Sequence, residues 1–581
     1  MSAKIERSER NLVDIPSGTV VRKDGRVYMN TRHYYVAGEG EKSGYRTHDK
    51  MCIGVVSEDV SAHKMYANTA YIRKYIPDML PERPRQDDSI VVGPYAVVRT
   101  LSESSGITEK LANTFGAEGT QLILDLATYM LVEESAVFQH FPHWARRHVL
   151  FSETIHSDSY ISRFLTDSIS IPKINQFKQE WARANIGDGN VYVCYDSTNV
   201  NSQAEGVFLV QRGHAKDDPN LEQVNTDYVI RQSDGLPLTF MEFPGSVADI
   251  AQASEMICFL EHITGTPGQE IHPTVVCDRG YMSEENVDLM DKCGVNFLLM
   301  LRSNLNDCAT LLKAHCSDVK SNYANYFRDF DEYGNTISGH LFKKGPARYF
   351  HIIWNPALEC SHRKTLFSKI DSMRSVLMND VKRSSRRTEA EWRKYQKLFR
   401  LDLEEAGTLP FCSKRRKIDD TTTKAFALKS FEENQERIHE QLEMCGYYIL
   451  VTSREMSALD ARTAYAKRDC VEKMFRALKS SLGMDKLGVF SDQSIHGKSL
   501  IWFIAAILHS LLFQRLSSLR TSDRKHYTVP ASVDLIDEIT ADKILDTGCY
   551  ERRYKLIKRQ IDILSSCGIE PSEIDSIIAD L

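Results

Sequence analysis

The sequence predicts a multidomain α/β protein, on three observations. The chain has 581 residues, room for roughly three or four domains of ordinary size. Its composition, 42% hydrophobic and 26% charged, excludes wholesale disorder, collagen-like repetition and a coiled coil. From residue 191 to 301, closely spaced extended runs give way to alternating helix and strand, the pattern of a sheet layered with helices.

Taken in order, residues 17–75 read as short strands and turns, with Thr19–Arg22, Val27–Met29 and Tyr34–Val36 separated by Asp-Gly and Gly-Glu-Gly. From Pro94 to about Trp181 the spacing turns helical, through Leu122, Leu124, Leu126, Tyr129 and Met130. Extended runs follow at Val191–Tyr195, Gly206–Val210, Tyr228–Ile230 and Leu236–Met241, close enough in sequence for an antiparallel meander. Val247–Ile263 has helical period, Thr274–Cys277 reads as a buried strand, Ser283–Cys293 as a helix and Val295–Leu301 as a strand. Alternation stops near Ser303. Beyond it lie Tyr349–Trp354, a long basic helical stretch, the strand Cys445–Val451, a strong helix from Leu459 to Leu482 and an apolar helix at Ser499–Leu512. The last 50 or so residues read as helical and mixed in charge.

The longest apolar run, Leu500–Leu512, has 13 residues including His509 and Ser510, too short for a membrane span and suited to a buried helix. Met1–Asp14 carries mixed charges and no apolar core, so the cytosol is the expected compartment. None of the thirteen cysteines forms a C-x-x-C pair, and structural zinc is not expected. No phosphate-binding G-x-x-x-x-G-K-[ST] loop occurs, which argues against ATP-driven work.

The net charge is −6, from 73 Lys and Arg against 79 Asp and Glu, so the whole molecule is not a basic nucleic-acid coat. Locally the balance reverses. Ser361–Arg400 holds twelve Lys or Arg against four acids, and Ser413–Lys417 adds four more cations. Such a run is more often a solvated helical face, but it is large enough to displace counterions from several phosphates.

Three acids stand out. Asp196 follows the strand Val191–Tyr195, and Asp278 ends the strand Thr274–Cys277, 82 positions later. Either alone reads more readily as a turn or cap residue. The intervening strands and helix bring the two bearing strands side by side, so the acids can converge. In the strong helix, Tyr465, Arg468, Glu472, Arg476 and Lys479 fall on one polar stripe, opposite Val471, Met474, Phe475 and Leu478. That stripe can equally be a solvated, ion-paired face.

Tyr465, Arg468, Glu472 and Lys479 match the Y-x2-R-x3-E-x6-K signature of bacterial insertion-sequence transposases with a DDE triad. Asp196–Asn199, Gly213–Asp217, Gly235–Leu238 with Phe243–Gly245, and Asp278–Tyr281 with Ser283–Asn286 resemble successive blocks of the same group, in the same order. The resemblance covers about Asn190–Leu512. The 194 positions between Asp278 and Glu472 fit the branch with an inserted, mainly β domain.

The resemblance implies an RNase H-like mixed sheet flanked by helices. It divides the chain into a β-rich module at 1–80, a helical DNA-binding module at 81–185, and a catalytic core at 186–305 and 445–520. An insertion at 306–444 interrupts that core, and a helical region at 521–581 follows it. It implies two magnesium ions, replaceable by manganese, held by Asp196, Asp278 and Glu472, with Asp196 bridging them. It also implies cleavage and strand transfer of an element's DNA ends by a homodimer or larger assembly, away from membranes and nucleoid-associated when bound. Tyr465, Arg468, Lys479 and Arg476 would contact DNA phosphates. Tyr281 and Trp354 are candidates to stack on an extruded base, although core burial is the commoner fate of such rings. His214, Lys216 and His496 have no secure role. Two alternatives stay open: an inactive DNA-binding descendant, and a nuclease that cuts without joining.

Overall fold

A computed structural model describes residues 12–30, 33–36, 44–47, 50–57, 63–76, 89–213, 220–265, 270–302, 306–343, 345–410, 422–520, 525–544 and 549–581. The chain divides into two compact units, Met1–Asp88 and Ser89–Leu581. The first holds a five-stranded antiparallel sheet whose order is Leu12–Asp14, Lys64–Ala67, Lys50–Val56, Arg26–Asn30 and Val20–Val21. Val27, Ile53, Met65 and Ala67 form its core with Tyr71 and Ile72 of the helix Thr69–Tyr75.

The second unit is built on a nine-stranded mixed sheet. Its strands are β1 (Gly189–Ser202), β2 (Glu222–Arg231), β3 (Leu236–Pro244), β4 (Ile271–Cys277), β5 (Asn296–Met300), β6 (Tyr326–Phe327), β7 (Glu332–His340), β8 (Ala347–Trp354) and β9 (Tyr447–Thr452), in the order β3-β2-β1-β4-β5-β9-β8-β7-β6. β1, β2 and β3 pair antiparallel, while β4 runs parallel to β1 and β5 parallel to β4. Three antiparallel strands followed by parallel ones joined through helices form the helix-flanked mixed sheet that the resemblance implies. Gly206–Val210, expected as a strand, is instead a turn: Gly206 has φ of +74°, and the Asp492 carboxylate accepts the Phe208 and Leu209 amides.

One face of the sheet is covered by the helices Gly93–Ser104, Ile107–Glu133, Ile171–Asn185 and Asp492–Leu516, whose apolar residues share a single core with Val276, Leu298 and Leu450. The helical stretch before residue 185 is thus packed onto the same core as the sheet. Asp492–Leu516 is long and apolar enough to cross a membrane by composition, yet most of it is buried inside the protein. A Cβ on Gly497 would lie 2.5 Å from the Leu165 carbonyl, so glycine lets the two backbones touch. The opposite face packs against the helices Asp249–Thr264 and Glu284–Lys292 through Met256, Ile257, Leu260 and Met290.

The stretch 306–444 divides in two. β6, β7 and β8 join the main sheet, and the helix Asn306–Ser321 packs on it through Leu312 and Val319. Residues 356–443 form a separate layer: the helices Pro356–Arg383, Glu389–Gln396 and Gln435–Glu443 lie with a three-stranded sheet around Leu366, Ile370, Leu377, Trp392 and Phe399. Five of the twelve cations noted there are held by carboxylates. Arg363 pairs with Glu359, Arg374 with Asp371 and Glu433, Arg387 with Asp380, Arg393 with Glu389 and Arg400 with Glu436. Part of the run is therefore engaged by the protein's own acids. Ser413–Lys417 lies outside the described residues.

His496 has a structural place. Its Nδ1 meets the Glu242 carboxylate of β3, close to the buried Lys178 amine, whose pKa burial pushes down to about 8. Burial would lower the His496 pKa too, but the Glu242 hydrogen bond and the charges of Glu242 and Asp492 outweigh it, and the value is raised. A raised folded-state pKa makes the stabilisation complete below the unfolded value of 6.5 and lost as pH rises through the folded value. The unfolding midpoint of wild type relative to His496→Gln is accordingly expected to narrow as pH is raised from 6.5. Thermal melts across that range check it, and a constant gap would mean that the ion pair does not stabilise the fold.

Candidate functional site

β1 runs seven residues further than its apolar start suggests, and this sets the position of Asp196. β4 pairs with β1 only as far as Val276 opposite Cys194, whereas β2 stays paired to Ser202. That edge of β1 is therefore uncovered from Tyr195 until Asn201 bridges to Lys486, and Asp278 leaves β4 at the start of this gap. Alternation along the strands puts Cys194, Asp196, Val276 and Asp278 on one face, the face against which Val471, Met474 and Leu478 pack. Asp278 caps the turn Arg279–Tyr281, accepting the Arg279 amide at 2.7 Å.

The third acid comes from a broken helix. The expected helix 459–482 is two helices, Ala458–Ala466 and Asp469–Ser481, with a tight turn at Lys467 and Arg468. There the amides of Arg468, Cys470 and Val471 bond three residues back, to Tyr465, Lys467 and Arg468. Tyr465 therefore belongs to a different helix from Glu472 and Lys479, and the single polar stripe is corrected to two segments. The break places the Arg468 guanidinium between the acids. One terminal nitrogen donates to Asp196 Oδ2 at 3.0 Å and the other to Glu472 Oε1 at 2.9 Å. Burial works against the Arg468 charge, and Tyr465, Asp196, Asp278 and Glu472 overcome it, raising its pKa. All three acids act on this one cation.

Glu472 is open to solvent, with 54% of its side chain exposed, whereas Asp196 and Arg468 show only 18% and 16%. Arg476 is exposed and Lys479 half-buried on the same face as Glu472, one and two turns along. Burial and the charge of Asp278 push the Tyr465 hydroxyl pKa up. His214 and Lys216 lie outside the described residues, as does most of Gly213–Asp217.

The two aromatic candidates are placed otherwise than a base-stacking role requires. Tyr281 is only 1% exposed; its ring lies 4.8 Å from Tyr195 and its hydroxyl donates to Asp196 Oδ1 at 3.4 Å. It faces the first acid and no solvent. Trp354 ends β8 three strands away from Asp278, roughly 14 Å at the usual strand spacing, and by register three residues, about 10 Å, further along the strands. Its indole donates to Glu359 at 2.9 Å, under the Lys320 amine. Tyr281→Phe is expected to leave the fold intact and slow any reaction at Asp196 by about tenfold or less, because one long hydrogen bond is lost. Turnover rates beside a thermal melt check this.

Composition and spacing did not point to the support around Asp196. Asp227, buried on β2 opposite Ser197, accepts the Tyr195 hydroxyl, and Ser197 Oγ donates to Asp249 at 3.2 Å. A carboxylate directly before the apolar run Tyr228–Ile230 was the available signal, since a buried acid needs partners.

Among the described residues, no three Asp, Glu, His or Cys side chains are grouped closely enough to hold a metal ion as they stand. The donor chemistry nevertheless suits one. Asp196 and Glu472 turn carboxylate oxygens to a common cation, Asp278 adds charge to the same point, and hard oxygens are magnesium ligands.

Known proteins resemble this chain at two levels. A solved structure of the piggyBac transposase synaptic complex with hairpin DNA is similar over 84% of this chain and 82% of its own, at 7% identity and a TM-score of 0.35. No curated protein matches. The family model described as the transposase DDE domain matches residues 191–508, a span that contains Asp196, Asp278 and Glu472 and more than half of the sequence. The chain belongs to the DDE transposase domain family.

Proposed function

We propose that this protein cuts the DNA ends of a mobile element and joins the freed 3′-hydroxyl to target DNA, with Asp196, Asp278 and Glu472 as the catalytic acids. One observation carries the reading: the Arg468 guanidinium bridges Asp196 and Glu472, acids 276 positions apart in sequence, and Asp278 ends the strand paired beside the one that bears Asp196. Structural ion pairs do not ordinarily recruit a third carboxylate, because like charges brought together are costly without a strong counter-charge. Bound magnesium would supply activation of water or a 3′-hydroxyl and stabilisation of the departing oxygen.

The remaining roles belong to the chain itself. Asp196 is held by Tyr281 and Arg468, so its oxygens are oriented before any ligand arrives. Arg476 and Lys479, on the face that bears Glu472, suit phosphates of a strand lying along that helix. The helical stretch before residue 185 and the layer 356–443 would supply further contacts to the duplex, and a homodimer or larger assembly would pair two ends. We assign the chain to the insertion-sequence branch that bears the Y-R-E-K signature, on Tyr465, Arg468, Glu472 and Lys479.

The test uses a labelled duplex carrying the inverted repeat that borders the gene, with magnesium and a target plasmid. Nicked ends together with joined products are expected. Nicks without joining would indicate a nuclease, and binding without nicks an inactive descendant.

A further inference from the structure

The position of Arg468 has a consequence beyond phosphate contact, and it rests on the reading of Asp196, Asp278 and Glu472 as ion-binding acids. We infer that Arg468 is a built-in counter-cation that holds Asp196 and Glu472 together beside Asp278 in the free protein and must leave them for a divalent ion to bind, so that ion and DNA affinities are linked through this one side chain. Each terminal guanidinium nitrogen takes a different acid, Asp196 at 3.0 Å and Glu472 at 2.9 Å, so neither carboxylate is fully available to an ion while the fork stays in place. Without it, three like charges would repel and the loop after β4 would separate from the broken helix.

The contact is built to be exchanged. Arg468 sits in the tight turn between two helices, where a change in one backbone torsion re-aims the side chain. Its bond to Glu472 joins residues four apart and ends on a carboxylate that is open to solvent, which weakens it. A DNA phosphate offers the same planar fork an equally good bidentate partner. Moving the guanidinium onto a phosphate clears two acids at once and leaves a more negative pocket. An incoming divalent cation, in turn, frees the guanidinium for the strand. By linkage, each ligand then raises the affinity for the other.

The full chain is titrated with manganese, and bound ion is read by electron paramagnetic resonance. Wild type is compared with Arg468→Ala, Arg468→Gln, Arg468→Lys and the double variant Asp196→Asn/Arg468→Ala. Without DNA, Arg468→Ala and Arg468→Gln are expected to bind manganese about tenfold more tightly than wild type, a gain of the size set by one close charge. Arg468→Lys is expected to stay near wild type, and the double variant to lose the gain. With a short mixed-sequence duplex added and its own binding subtracted, wild type is expected to tighten and Arg468→Ala to stay unchanged. Melting curves show which variants are folded, and Arg468→Gln decides if Arg468→Ala is not. Equal or weaker affinity in the neutral variants, with manganese binding still dependent on Asp196, overturns the counter-cation and leaves the catalytic acids standing. No Asp196-dependent binding in any variant overturns both.

Discussion

Asp196→Asn, Asp278→Asn and Glu472→Gln are each expected to lower cleavage of a labelled element end by roughly three orders of magnitude or more, with duplex binding retained. The size follows from what is lost: a ligand of the ion that stabilises the charge developing on the reacting phosphate, where such stabilisation supplies much of the rate enhancement. Binding should survive because the acids repel phosphate, and removing one lowers that repulsion. Asp196→Asn has a further signature. It strips Arg468 of one of two carboxylate partners, so its affinity for duplex should equal or exceed that of wild type. Gel-shift and single-turnover cleavage on the same preparations separate the two effects. Cleavage by any one variant at more than about a tenth of the wild-type rate removes that residue from the catalytic set.

The second large effect is expected far from the acids. Glu332 on β7 is buried and accepts from Arg462 Nε at 2.6 Å and Nη2 at 3.2 Å, from Tyr448 at 3.0 Å and from Asn355 at 2.7 Å. Every lone-pair direction is used. Arg462, whose guanidinium also lies 4.3 Å from the centre of the Phe330 ring, belongs to the helix that leads into the turn at Arg468. Glu332→Ala leaves this cation largely buried without its partner, which costs about 3–5 kcal/mol. The unfolding midpoint in urea should fall accordingly, and cleavage should fall with it because the turn loses its anchor. Glu332→Gln, which keeps the packing and part of the hydrogen bonding, should lie between. A loss of unfolding free energy below about 1 kcal/mol for Glu332→Ala would mean that the helix is held by its apolar contacts alone.

How much of this was legible in the sequence depends on what each signal reports. The strands bearing Asp196 and Asp278 could be placed from their apolar runs, and the meander with its later alternation gave the mixed sheet. Period and composition do not reveal register, however. That β1 continues past Asp196 follows from its pairing with β2 through Asn199 and Asn201, polar residues that read as a turn. The stripe from Tyr465 to Lys479 was sound as a set of residues and incomplete as geometry. An unbroken helix and one tightened at Arg468 share nearly the same periodicity, and the contact that Arg468 makes at the break is with Asp196 on a strand 272 positions away, which local periodicity does not report. Tyr281, offered by the resemblance as a stacking candidate with core burial as the commoner fate, is enclosed by the core.

The most direct test of the central claim, that three distant acids share one ion, is to let iron(II) take the magnesium position and to map where the chain is cut by the radicals it generates with ascorbate. Backbone breaks are expected in three segments, around Asp196, around Asp278 and around Glu472, and all three should disappear together in Asp196→Asn and in excess magnesium. Breaks confined to one segment, or elsewhere in the chain, would contradict it.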